Sequence, residues 1–145
     1  MKPFSLDKVL EYRRHLRQDA RNALASAIAD EQTLLSHRKF VENQKNEQIE
    51  ELARVAQSEV LNVEAAARRR YFTGQLDIQM LVLDEQIAQA QQVVEQHRVA
   101  LVRADQDVKA LERLREQHVE QEMYHESRRV EVELGEQWQS SNWNW

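Results

Sequence analysis

Residues 80–111 carry two apolar series in heptad register. Met80, Ile87, Val94, Leu101 and Val108 recur every seven residues, and Leu83, Ala90, His97, Ala104 and Leu111 follow three residues further on. A seam sustained over this length is the signature of a coiled coil, which is narrower than the apolar face of an ordinary amphipathic helix. The positions between are polar, as in Gln91-Gln92, Glu95-Gln96 and Asp105-Gln106-Asp107. So narrow a seam closes no core alone. It requires a second helix lying along it.

The chain has room for that helix and little else. It contains two glycines and one proline in 145 residues, where average usage would supply about 17 of the two together. Sandwiches, α/β folds and small globular folds need turns at short intervals, and nothing here makes them. The expected fold is all-α, an elongated antiparallel two-helix coiled-coil hairpin forming a single domain over 1–145.

In chain order, Pro3 precedes Ser5, a candidate N-cap, and a helical pattern begins at Leu6. Leu6, Val9, Arg13, Leu16, Ala20, Leu24, Ala27, Leu34 and Val41 follow a 3–4 spacing. The pattern weakens through Lys45 and resumes at Ile49, Leu52, Val55 and Ala56. The Ala-rich stretch 23–29 suits a close approach of two helices. Helix 1 is expected over about 5–60, a length of ~80 Å.

The bend falls somewhere in 58–74, with two placements open. Asn62 is a good N-cap for a turn at 58–62, and Thr73-Gly74 is an alternative break. Either folds helix 2 back onto helix 1. Gly135 is a credible C′ residue, so helix 2 is expected to end at about 134. The tail 136–145, with Trp138, Trp143 and Trp145, is read either as a frayed, flexible end or as a set of aromatic anchors for a partner.

Catalytic chemistry is not expected. There is no cysteine, and hence no disulfide or thiolate metal site. His97 and His118 lie 21 positions apart, roughly 31 Å along a helix, too far to share a metal. His118 and Glu122 have i,i+4 spacing but no visible third ligand, and are read as a solvated pair. No phosphate loop, nucleophile elbow or zincin motif occurs. The expectation is a non-enzyme with no catalytic residues, metal or cofactor. Met1-Lys2-Pro3-Phe4 lacks the apolar segment of a secretory signal, and no run reaches the ~20 apolar residues of a membrane span. A cytoplasmic protein is therefore expected. The net charge of −5 argues against nucleic acid.

Two basic clusters offer surfaces. Arg13, Arg14, Arg17 and Arg21 occupy adjacent turns of helix 1, and are read as contacts for an acidic protein surface in preference to a solvated, self-paired face. Arg68-Arg69-Arg70 lies near the bend beside Tyr71, Phe72 and Leu76, with Phe40 able to join from across the hairpin. Together they form a basic-aromatic docking knuckle.

The opening Phe4-Ser5-Leu6-Asp7-Lys8-Val9-Leu10-Glu11-Tyr12-Arg13 resembles the F-x-L-x-x-V-L-x-x-R start of the flagellar export protein FliJ, whose relatives include the small stalk proteins of injectisome type III secretion. Length, lack of cysteine, midpoint bend and heptad second helix extend the resemblance over most of the chain. Two departures stand out: the acidic residue after the opening arginine is delayed to Asp19, and the tail is Trp-rich.

The resemblance implies a hairpin similar to the central stalk of rotary ATPases. Such a stalk sits in the hexameric flagellar export ATPase, promotes its assembly and activity, links it to the cytoplasmic domain of the membrane export gate, and escorts export chaperones. It implies association with the cytoplasmic side of the cell membrane at the flagellar base, through the export apparatus. Carried onto this chain, Arg13, Arg14, Arg17 and Arg21 would face acidic residues lining the ATPase ring, and Phe40, Tyr71, Phe72 and Leu76 would meet the gate. The alternative is a scaffolding coiled coil that homodimerises along the same heptads with no ATPase partner.

Overall fold

The structure, a computed structural model, describes residues 2–57 and 62–143. They form two helices, α1 (Asp7–Gln57) and α2 (Val63–Trp143), with no strand among the described residues. The fold is an all-α helical hairpin, its two helices packed against each other.

The helix starts follow from local chemistry. Asn62 caps α2, its Oδ1 accepting from the Ala65 N–H at 3.1 Å and its carbonyl from Ala66 at 3.0 Å. At α1 the Leu6 carbonyl accepts from Leu10 at 2.8 Å, and the Phe4 carbonyl from Asp7 at 3.2 Å. Leu6 therefore holds the cap position expected for Ser5, and the Asp7 carboxylate lies in the first turn, where it favours the helix dipole.

Of the two placements for the bend, 73–74 is excluded. α2 runs unbroken through Thr73 and Gly74, and the Thr73 hydroxyl donates back to the Arg69 carbonyl at 2.9 Å. Residues 58–61 of the other placement lie outside the described residues. Gly135 does not end α2 either. The helix continues to Trp143, so the stretch expected to follow helix 2 as a tail belongs to α2 as far as it is described. A glycine stops a helix by taking up positive φ, and neither glycine does so here. With Leu134, Glu136 and Gln137 around it, Gly135 costs helix stability without breaking the helix.

The helices pack as two compact units. Unit 2 (Asn22–Val99) contains a core of Val41, Leu76 and Leu83, flanked by Leu34 and Met80, with Ala27, Ile87 and Val94 also buried. Its antiparallel register is fixed by two ion pairs one heptad apart on both helices. Lys45 Nζ meets Asp77 at 2.6 Å, and Arg38 Nε meets Asp84. Unit 1 (Met1–Arg21 with Ala100–Trp145) buries Leu10 and Val108. It too is antiparallel, with Arg17 Nη1 3.3 Å from Asp105 and Arg115 Nε 3.2 Å from Asp7.

On α2 every seam residue between Met80 and Leu111 is buried or half-buried. On α1 the seam runs through Leu10, Arg13, Arg17 and Ala20 in unit 1. In unit 2 it runs through Leu24, Ala27, Glu31, Leu34, Arg38, Val41, Lys45, Gln48, Leu52 and Val55, each buried or half-buried. Leu6, Val9 and Ile49, apolar residues of the expected stripe, are exposed instead. The α1 repeat is thus a true heptad whose gaps are filled by charged side chains. Their aliphatic stems lie in the seam while the charged heads reach its edge.

Candidate partner-binding surfaces

In unit 1 the N-terminal arginines are largely occupied. Arg13 Nη1 donates to Asp107 Oδ2, Arg14 Nη2 to Glu112 Oε1 and Arg17 Nη1 to Asp105 Oδ1, each at 3.3 Å. Asp105 also pairs with Lys109 at 2.9 Å. Its carboxyl is held below the usual carboxylate range, first by the hydrogen bond from Lys109. Partial desolvation opposes that shift and Arg17 adds to it. Arg17 Nε is buried without a hydrogen-bond partner, the consequence of placing a five-donor group in an apolar seam. Arg21, the last of the four, is exposed. The cluster is therefore an internal lattice with α2 more than a free positive face.

The pair His118 and Glu122 has a different use from the ligand pair that its spacing offers. The Lys2 backbone N–H donates to Glu122 Oε2 at 3.4 Å, and His118 Nε2 lies 2.9 Å from the Lys2 carbonyl oxygen. The Phe4 ring packs on the imidazole with centroids 5.6 Å apart. These side chains clasp the segment that leads into α1. Among the described residues no group of three or more His, Asp or Glu is placed to hold a metal ion.

In unit 2 the expected knuckle divides. Tyr71 and Phe72 are exposed, Phe72 at 43%. Leu76, one turn on, is 1% exposed and belongs to the core with Val41 and Leu83, so it is no part of a docking face. A seam reading extended one heptad back from Leu83 would have found it. Phe40 is exposed but stands apart. Arg69 reaches Gln48 at 3.4 Å and Glu51 at 3.7 Å, which sets Tyr71 and Phe72 level with that end of α1. The Arg38–Asp84 and Lys45–Asp77 pairs set Phe40 level with Val82 instead, about ten residues or ~15 Å further along. In Arg38 the hydrogen bond to Asp84 raises the pKa above its ordinary value.

The apolar surface that accompanies the knuckle comes from residues outside the expected set. Ile78 and Val82 are exposed on α2, and together with His37, Gln79, Leu83 and Gln86 they line a shallow groove of about 280 Å³. Tyr71, Ile78 and Val82 share one outward stripe, being seven and four residues apart. That spacing was available in the sequence, but it lies beside the stronger seam and was masked by it.

The arrangement presents side chains along two paired helices. No described helix is long and apolar enough to cross a membrane. No curated protein and no solved structure matches the chain. A family profile described as "Flagellar FliJ protein" matches residues 1–134, nearly the whole length. On that match the chain belongs to the flagellar FliJ family and is a component of the flagellar protein export apparatus.

Proposed function

We propose that this protein is a non-enzymatic central stalk of the export apparatus. It promotes assembly and activity of the hexameric export ATPase, couples that ring to the cytoplasmic domain of the membrane export gate, and escorts export chaperones. The observation that carries the reading is the family match over 1–134 on a chain whose two helices pair antiparallel. A stalk meeting six equivalent subunits needs modest, mainly polar contacts on a stiff support. Paired helices edged by ion pairs supply both. The α2 seam is filled by α1 of the same chain, which supports the stalk over a scaffold that homodimerises along its heptads. The protein associates with the cytoplasmic side of the membrane peripherally, through the export apparatus.

Arg13, Arg14, Arg17 and Arg21 belong to the ATPase-facing region, and Tyr71, Phe72 and Phe40 to the gate-facing one. Leu76 supports the latter from beneath. Simple reversal of Arg14 would break an internal pair, so the sharper variant exchanges the charges. Arg14→Glu with Glu112→Arg keeps the bridge, and Arg21→Glu is added to it. This triple variant is expected to fold and to lose stimulation of the purified ATPase. Unchanged stimulation would remove Arg14 and Arg21 from the interface. Tyr71→Ala with Phe72→Ala is expected to weaken binding to the cytoplasmic domain of the gate while leaving ATPase stimulation intact.

A further inference from the structure

The heptad seam runs out level with the start of α1, where Arg115 meets Asp7, but α2 continues to Trp143. Residues 123–142 are exposed throughout, and the side-chain bonds of Arg128 and Ser141 stay within the helix. Apolar residues nonetheless recur along the segment. Met123, Val130, Leu134 and Trp138 are spaced seven, four and four apart, with Leu134 at 60% and Trp138 at 67% exposure. On an ideal helix the four fall within about 80° of one another. They do not continue the seam, whose heptad positions in this stretch include Glu122, His125, Arg129 and Val132.

The charges beside the stripe are all of one sign. Glu126 and Glu133 border it on one side and Glu120 and Glu131 on the other, whereas Arg128 and Arg129 lie toward the opposite face. Arg128 is moreover turned onto Tyr124, 5.9 Å from its ring centroid. A second copy of this helix would bring carboxylate rim against carboxylate rim, which is unfavourable. An anionic bilayer or a nucleic acid would be repelled for the same reason.

We infer that residues 123–142 of α2 form a docking helix for a protein surface presenting an apolar groove rimmed by Lys and Arg. The anchors are Leu134 and Trp138. The inference rests on the proposed function in taking the export ATPase as that partner. It also gives the contact the opposite polarity to an arginine face meeting acidic lining residues.

The test titrates the full-length chain against the purified export ATPase by calorimetry. It compares wild type with Leu134→Asp/Trp138→Ala, which removes the stripe, and Glu126→Lys/Glu133→Lys, which inverts the rim. These side chains are exposed, so both variants should keep the wild-type melting temperature. Each is expected to weaken binding by about thirtyfold, the effect of losing one hot spot. Wild-type affinity in Leu134→Asp/Trp138→Ala overturns the docking helix and leaves the stalk reading standing. No binding by wild type overturns both. A doubled mass by light scattering that Leu134→Asp/Trp138→Ala abolishes would make the stripe a contact between copies and overturn the inference.

Discussion

On α2 the ten seam positions from Met80 to Leu111 hold nine apolar residues and one histidine, whereas α1 places Arg17, Glu31, Arg38 and Lys45 at seam positions of its own repeat. The α2 seam provides the hydrophobic drive, which has no direction and is indifferent to a slip by whole heptads. The α1 charges supply what it lacks. In unit 2, sliding α1 one heptad to bring Arg38 to Asp77 would set Glu31 against Asp84. Sliding it the other way would carry Lys45 to Asp84 but leave Arg38 facing Gln91 and Asp77 facing Leu52, so one of the two carboxylates loses its cation. One helix contributes stability and the other contributes register.

The largest test of that division is Leu76→Ala. It opens the buried core of unit 2 formed with Val41 and Leu83 and should cost about 2–5 kcal/mol, read as a fall in melting temperature by circular dichroism. Arg17→Leu should act in the reverse direction. It replaces a seam arginine with an unsatisfied Nε by an apolar side chain and should add about 1 kcal/mol, at the expense of register fidelity. Disulfide trapping between cysteine pairs placed one heptad out of register would detect that loss. Gly135→Ala meets open space around its new methyl. It should stiffen the exposed end of α2 by about 0.5–1 kcal/mol, visible as slower amide exchange there with no change in global melting.

The smallest effect is on pH dependence. The Asp105 carboxyl has a lower pKa folded than unfolded. Its contribution is therefore present above the ordinary carboxylate pKa of about 3.9 and lost as pH falls through the depressed folded value. Asp105→Asn should flatten that acid limb of the melting curve. Arg38 is shifted the other way, upward. Its contribution is complete below the ordinary arginine pKa and would fade only in alkali beyond its raised value.

How much of this the sequence disclosed depended on the kind of residue that carried it. The α2 seam was legible because its periodicity is written in apolar side chains. The α1 seam was half legible. Glu31, Arg38 and Lys45 look like interruptions until Asp77 and Asp84 are placed beside the two cations. Asn62 was readable as a cap because its chemistry is local. Gly135 misled, since a glycine permits a helix end without enforcing one. Among the surface residues, Tyr71 and Phe72 are exposed as expected. Leu76 is not, because adjacency to aromatic neighbours was weighed above its place seven residues before Leu83. The three paired arginines could not be distinguished from a free basic face by sequence, as their partners lie far along the chain.

The clasp at the start of α1 carries a consequence for how the chain tolerates substitution. His118 and Glu122 hold Lys2 by its main-chain carbonyl and amide, and Pro3 already biases that residue toward an extended backbone. Position 2 can therefore drift among side chains of any charge or size while the anchor persists, and its variability among natural variants would say nothing about its importance. Proline is the exception, because it alone removes the amide hydrogen that Glu122 receives.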